Sequence, residues 1–153
     1  MRHFIKHTVS ALVLSTAAWM TPQASAQTQT QLYVVMFEAD WCAPCKIVKP
    51  SINQALNSLR DPSIEYVTID ITTPSISEIS AHRAFDRNIV QQYNSWLGVT
   101  GFAAIIDATT KQTLGCVNLK YSPQDMATHI RNLKTYAVAD QAPLDFTCPE
   151  PNN

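Results

Sequence analysis

The chain has 153 residues, of which 46% are hydrophobic and 15% are charged, and its 11 basic and 12 acidic side chains give a formal net charge of −1. This length fits one domain better than two. The sequence has no basic run and no basic residues interleaved with aromatic ones, which argues against a nucleic-acid partner.

The N-terminal segment is typical of a secretory signal peptide. A short basic start precedes an apolar run over 9–20, and Ala24-Ser25-Ala26 supplies the small-x-small pattern of a cleavage site. The apolar run is too short for a permanent membrane helix, although a membrane anchor or a buried helix is the alternative reading. We therefore predict that residues 1–26 are removed. The mature chain, 27–153, is then a single periplasmic domain without a membrane span, and it ends in a Pro-rich tail from about residue 140.

The mature part alternates strand and helix patterns. The continuous apolar run over 32–37 predicts a strand that is buried on both faces. The later elements, in chain order, are a helix through 48–59 that contains Pro50, a strand at 64–71, a helix opened by a capping box of Ser75 and Glu78, a helical stripe through 85–96 after a break near His82, a hairpin of strands at 102–106 and 113–121, and a helix opened by Ser122 and Pro123. This order predicts an α/β fold with a mixed central sheet of about four strands and helices on both faces.

The working centre is predicted to be the motif Cys42-Ala43-Pro44-Cys45, which lies between the first strand and the first helix. The helix N-terminus presents unpaired N–H groups and the positive end of the dipole, both of which favour a thiolate. Lys46 adds positive charge nearby. We expect Cys42 to be the exposed nucleophile with a lowered pKa. Cys45, one turn further in, then resolves the mixed disulfide.

The segment 39–46 resembles the active site of the thioredoxin superfamily, because Trp41 precedes the first cysteine and Pro50 matches the proline in the family's active-site helix. The segment 98–102 resembles the approach to the family's substrate-binding loop. The resemblance covers roughly 32–136. It implies a thioredoxin-like fold and redox chemistry that needs no cofactor. It also implies client contacts from a set of residues around the motif and the loop, namely Trp41, Ala43, Pro44, Phe102 and Ala103.

Three positions depart from the family pattern. Ala103 stands where the family has a cis-proline, Met36 stands where thioredoxins have a buried acid, and no lysine occupies the neighbouring position near Tyr66. We expect a trans Phe102–Ala103 peptide bond, since a cis bond before a non-proline residue costs about 3–4 kcal/mol. We also expect a reshaped loop, in which Phe102 or Ala104 fills part of the space for client backbone, and weak general reductase activity.

The other two cysteines are predicted to form a structural disulfide. An even number of cysteines in an exported chain favours disulfides. Of the three possible pairings, only Cys116 with Cys148 leaves Cys42 and Cys45 free to cycle. The alternatives for the latter pair are an inert disulfide or a metal site. No metal is expected, because no His or Met lies beside the two cysteines and a closed zinc site needs four ligands.

The sequence thus supports two functional hypotheses. The first is a periplasmic thiol–disulfide oxidoreductase that acts on exported cysteine-containing proteins, with reduction as the favoured direction and a membrane or periplasmic redox partner. The second is a thioredoxin-like adaptor or chaperone module in a secretion or cytochrome-maturation assembly. The retained cysteines favour the enzyme, whereas the missing proline favours the module.

Overall fold

The computed structural model describes residues 29–139 and 148–152. The predicted signal peptide and most of the Pro-rich tail lie outside these residues, so cleavage after Ala26 stays a prediction. Among the described helices, none combines the length and the apolar character that crossing a membrane requires.

A four-stranded mixed sheet forms the centre of the molecule, in the order β2-β1-β3-β4. Strand β1 is parallel to β2 and antiparallel to β3, and β3 and β4 form an antiparallel hairpin. This confirms the predicted fold class. The elements are β1 (Leu32–Glu38), α1 (Cys45–Leu59), β2 (Ile64–Asp70), α2 (Pro74–Asp86), α3 (Val90–Ser95), β3 (Phe102–Asp107), β4 (Thr113–Asn118) and α4 (Pro123–Val138).

Strand β1 lies in the middle of the fold, and all seven of its residues are buried. Its side chains alternate between the two faces of the sheet, as the period of a strand requires. Val34 and Met36 pack in one core cluster with residues of α1 and α4, whereas Val35 and Phe37 pack in a second cluster with residues of α2 and of the α3 region. Because helices cover both faces, the strand is apolar along nearly its whole length.

The helix that follows β2 begins differently from the prediction. Thr73, in an extended conformation, accepts a hydrogen bond from the Ile76 N–H through its side chain, and Pro74 occupies the first helical turn. The capping box predicted for Ser75 and Glu78 is therefore wrong, because the preceding threonine caps first and proline suits the first helical position.

The break in the following helical stripe is also displaced from the prediction. It lies between Asp86 and Val90 rather than near His82, and Asn88 there has a left-handed φ of 54°. Phe85, which the stripe placed inside, is 72% exposed. At α4 the prediction holds, since the Ser122 side chain caps the helix by accepting the Asp125 N–H.

The C-terminal residues 148–152 return to the core at the end of α3. Cys148 forms a disulfide with Cys116 of β4, whose side chain is fully buried. The Trp96 indole N–H donates to the Pro149 carbonyl over 3.1 Å, and the Asn152 N–H donates to the Ser95 carbonyl over 2.7 Å. The disulfide and these hydrogen bonds together fix the tail against the residues that lead into the loop before β3.

Candidate redox site

The two cysteines of the motif lie at the junction of β1 and α1 and are joined by a disulfide, with a Cα–Cα distance of 5.3 Å. A turn brings the Cys42 N–H to the Ala39 carbonyl, over 3.0 Å. Helix α1 begins at Cys45, and its N-cap residue, Pro44, provides no side-chain hydrogen bond. The Cys42 sulfur takes that place, because it accepts the Cys45 backbone N–H over 3.1 Å.

Hydrogen bonding makes the two sulfurs chemically unequal. The Cys42 sulfur accepts an N–H at a helix N-terminus, an interaction that favours the thiolate. The Cys45 sulfur lies 3.8 Å from the Phe37 carbonyl oxygen. In the reduced protein the Cys45 S–H can donate to this oxygen, which favours the protonated thiol. The geometry therefore favours Cys42 as the nucleophile and Cys45 as the inner thiol.

The expected exposure of Cys42 is wrong for this structure. Cys42 is 4% exposed and Cys45 is 5% exposed, so accessibility does not distinguish them. The cause is the loop before β3, which packs against the motif. A methyl group built on Gly101 would lie 3.6 Å from the Cys42 sulfur and 2.9 Å from the Pro44 Cβ. The assignment of the nucleophile therefore depends on hydrogen bonding instead.

Gly101 lies in the segment 98–102 that resembles the approach to the substrate-binding loop, and the structure places it against the cysteine motif. Its φ is +90°, a conformation that L side chains rarely adopt. Its N–H donates to the Phe37 carbonyl over 2.9 Å, the same oxygen that lies near the Cys45 sulfur. The loop thus packs beside Cys42, and it is linked to Cys45 only through the Phe37 carbonyl that both groups approach.

Replacing Gly101 with alanine is expected to lower the rate of disulfide exchange by more than the loss of stability explains. The new methyl group must displace Pro44, and it comes into van der Waals contact with the Cys42 sulfur. Gly98→Ala is a matched control, because Gly98 has a φ of +93° but nothing lies within 4 Å of an added Cβ. Both variants carry similar backbone strain, of about 1–3 kcal/mol. Equal exchange rates for the two folded variants would show that the Gly101 contact has no role in the reaction.

The predicted client-contacting residues divide into two groups. Trp41, Ala43 and Pro44 lie at the surface around the disulfide, and Trp41 is 62% exposed. Phe102 and Ala103 are buried, at 1% and 0% exposure. The first group can present side chains to a client, whereas the second group lies beneath the surface, so a client contact there would involve backbone atoms.

The loop expectation is correct in one part and wrong in another. The described residues contain no cis peptide bond, so Phe102–Ala103 is trans as expected. Phe102 and Ala104 do not fill space beside the disulfide, because they belong to the core cluster on the opposite face of the sheet. The Phe102 ring stacks on Phe37 at a centroid distance of 5.0 Å. Of residues 102–104, only Ala103 faces the cysteines' side, in the cluster with Met36.

An ion pair beside the motif was missed in the sequence. Glu38, the last residue of β1, is only 8% exposed, and its carboxylate accepts a hydrogen bond from the Lys49 ammonium group over 2.7 Å. This contact raises the pKa of Lys49 above its ordinary value, chiefly through the hydrogen bond to Glu38. A charged residue that ends a buried apolar strand is the signal that could have predicted the pair.

Comparisons with known proteins agree with this site. Residues 11–82 match the family model described as Thioredoxin. Thioredoxin H2 of Arabidopsis thaliana is 30% identical over 57 residues, which are 37% of this chain and 41% of that protein. Thioredoxin-1 of Schizosaccharomyces pombe is 35% identical over 54 residues, which are 35% of this chain and 52% of that protein. The chain thus spans about half or less of the length of these two relatives.

Among solved structures, the chain is similar to a crystal structure described as a thiol:disulfide interchange protein of the thioredoxin family from Chlorobium tepidum TLS. The sequence identity is 20% and the TM-score is 0.48. The match covers 72% of this chain and 84% of that one.

Proposed function

We propose that this chain is a member of the thioredoxin superfamily and a periplasmic thiol–disulfide oxidoreductase that reduces disulfides in exported proteins through Cys42 and Cys45. The observation that carries the proposal is the hydrogen bond from the Cys45 N–H to the Cys42 sulfur, at the N-terminus of α1. It gives one sulfur of a redox-capable pair the stabilisation that a nucleophilic thiolate needs.

The proposed cycle uses only this pair and a client disulfide. The Cys42 thiolate attacks one client sulfur, a mixed disulfide forms and the other client sulfur leaves as a thiolate. Cys45 then attacks the Cys42 sulfur and releases the reduced client. The exposed Trp41 ring and the Pro44 ring beside the disulfide offer apolar surface to an unfolded or extended client segment.

The direction and the location are inferred from the sequence. The residues between the cysteines, Ala43 and Pro44, are closer to the Gly-Pro of reducing members of the superfamily than to the Pro-His of strongly oxidising ones. The basic start, the apolar run and the cleavage pattern that ends at Ala26 favour export. A reductant in the periplasm needs a source of electrons, and we propose a membrane or periplasmic redox partner for that step.

One observation favours the adaptor or chaperone hypothesis instead. Both cysteines are nearly buried in the oxidised structure. The loop beside them packs against the motif at Gly101, and it has Ala103 where the family has proline. A client must displace part of this loop to reach Cys42. General reductase activity is therefore expected to be weak and the range of clients narrow.

The decisive experiment measures the reduction potential of the Cys42–Cys45 pair, together with insulin reduction by the chain 27–153. A potential near about −270 mV indicates a reductant and one near about −120 mV an oxidant. We expect a value close to the first, with slow but measurable insulin reduction. A potential near the second would contradict the proposed direction. The absence of exchange with any disulfide substrate would favour the adaptor hypothesis.

A further inference from the structure

Strand β2 forms one edge of the sheet, because β1 pairs with it on one side and no strand within residues 29–139 and 148–152 pairs with it on the other. The backbone groups of successive residues in a strand point alternately to its two sides. At the two ends of β2, the Ser63 carbonyl accepts from the first N–H of β1 and the Ile71 N–H donates to the last carbonyl of β1. Odd-numbered residues therefore face β1, and the outer edge carries the backbone groups of Ile64, Tyr66, Thr68 and Asp70.

The two ends of this outer edge are closed by groups of the same chain. The Ile64 N–H donates to the Asp61 carbonyl over 3.2 Å. The hydroxyl of Ser80, a fully buried residue of α2, accepts the Asp70 N–H over 2.9 Å and donates to the Asp70 carbonyl over 2.8 Å. A strand cannot add at these two positions without breaking existing hydrogen bonds.

The middle of the edge is open. The Thr68 carbonyl accepts from the Arg83 guanidinium group over 3.2 Å. The outward groups that then remain are the Ile64 carbonyl, the N–H and carbonyl of Tyr66, and the Thr68 N–H, and none of them has a hydrogen-bond partner in the described part of the chain. Two donors and two acceptors in a row are a template for another strand.

We infer that β2 pairs with β2 of a second copy of this chain, antiparallel and around a two-fold axis at Tyr66. The Tyr66 N–H of each copy then donates to the Tyr66 carbonyl of the other, and the Thr68 N–H of each donates to the Ile64 carbonyl of the other. Every open group of both edges obtains a partner in this register.

The groups that the chain has already satisfied favour a second copy over an unrelated strand. In the two-fold register the Ile64 N–H of one copy lies opposite the Thr68 carbonyl of the other, and both have partners within their own chains. An unrelated strand would place a carbonyl and an N–H without partners at these two positions. Such unpaired groups cost free energy when they are buried in an interface.

The charges beside the edge also complement each other across the two-fold axis. Thr68 lies opposite Ile64 of the second copy, so Arg83, which reaches the Thr68 carbonyl, comes beside Glu65 of the second copy. Within its own chain, the Glu65 carboxylate binds Arg87 over 2.7 Å and its side chain remains 34% exposed. Because a two-fold interface repeats each contact, opposite charges meet twice.

This pairing joins the two four-stranded sheets into one. The two Tyr66 side chains become direct cross-strand neighbours, an arrangement that stabilises pairs of aromatic residues. Since the cysteine motif follows β1, which is parallel to β2, the two motifs lie at opposite ends of the joined sheet. Both redox sites thus stay accessible to clients.

The first experiment measures the mass of the chain 27–153 by analytical ultracentrifugation over a range of concentrations. We expect an equilibrium between monomer and dimer. Glu65→Arg and Arg83→Glu should each weaken the dimer by about tenfold or more, because like charges then meet at both contacts. An equal mixture of the two variants should restore a dimer that contains one chain of each. Lys120→Glu is the matched control, because it makes the same change of charge as Arg83→Glu at an exposed position after β4, the opposite edge of the sheet.

A second variant tests the backbone directly. Thr68→Pro removes an outward N–H that the monomer does not use, and proline is tolerated at such positions of edge strands. It should abolish the dimer while the monomer stays folded, so the test does not depend on the loss of the Glu65–Arg87 contact in Glu65→Arg. In the unsubstituted chain, hydrogen exchange at the Tyr66 and Thr68 amides should slow as the concentration rises.

Three results would overturn the inference. The first is a monomer at every concentration, and the second is a dimer that neither Thr68→Pro nor the charge variants weaken. The third is slower exchange at Tyr66 and Thr68 only after an unfolded client is added, which would assign the edge to clients. The pairing needs no redox chemistry, so failure to reduce insulin would refute the proposed function and leave this result standing.

Discussion

Alanine at position 42 is expected to reduce disulfide exchange to the background rate, whereas alanine at position 45 is expected to trap the protein on its client. Cys42 carries the sulfur that accepts the α1 N–H, so its loss removes the stabilised nucleophile. Without Cys45, attack by Cys42 still occurs, but the mixed disulfide has no internal thiol to resolve it. The two variants should therefore differ in their products as well as in their rates, because only the variant without Cys45 accumulates a mixed disulfide.

The measurement combines insulin reduction with mass analysis of the trapped species. Cys42→Ala should give neither turnover nor adduct, and Cys45→Ala should give one covalent adduct per chain that a small thiol releases. Preferential adduct formation by Cys42→Ala would reverse the assignment of the nucleophile. This test is needed because the two residues are equally buried, at 4% and 5% exposure.

The sheet and the position of the motif could be predicted from local patterns. The run over 32–37 is long, apolar and followed at once by the cysteines, and the short link between β3 and β4 allows only a hairpin. Spacing alone brings Cys42 and Cys45 together. These features depend on neighbours in sequence, so one chain is sufficient to predict them.

The features that were missed depend on contacts between distant segments. Cys42 is buried beside the loop that contains Gly101, which is far away in the sequence and lies next to the motif because β3 pairs with β1. The ion pair of Glu38 with Lys49 joins a strand to a helix. The predicted strand stopped at Phe37, one residue before the acid, and so hid the alternation that places Glu38 on the cysteines' face.

The prediction that Phe102 fills space beside the disulfide was wrong because it was made without the register of β3 against β1. β3 pairs with β1 so that Phe102 lies opposite Phe37, and paired residues in a sheet share a face. Both rings therefore belong to the core on the α2 and α3 side, where Trp96 packs against them. The family resemblance suggested the loop, but only the strand register shows which residue of the loop faces the cysteines.

The disulfide between Cys116 and Cys148 is expected to contribute more to stability than the active-site disulfide does. Its cysteines are separated by 32 positions, against 3 for Cys42 and Cys45. Closing the longer loop restricts the unfolded chain more, which corresponds to about 4 kcal/mol for the longer loop and about 2 kcal/mol for the shorter one in the chain-entropy model. Cys116→Ala/Cys148→Ala should therefore lower the Tm by roughly 15 °C.

The matched control is Cys42→Ala/Cys45→Ala, which should lose about half as much free energy of unfolding relative to the oxidised wild-type protein.

Hydrogen exchange provides a second measurement. The tail forms hydrogen bonds with Ser95 and Trp96, and the disulfide of Cys148 holds the tail in the position that these hydrogen bonds require. Exchange should rise at residues 95–101 in the Cys116→Ala/Cys148→Ala variant, whereas in the control it should stay unchanged at residues 95–97, which are hydrogen-bonded to the tail. A drop in Tm without that local increase would mean that the disulfide stabilises only through the unfolded chain. Equal losses of stability in the two double variants would contradict the loop-length argument itself. Since 95–101 leads to Gly101 and so to the Cys42 sulfur, a local increase would also show that the tail supports the active-site loop.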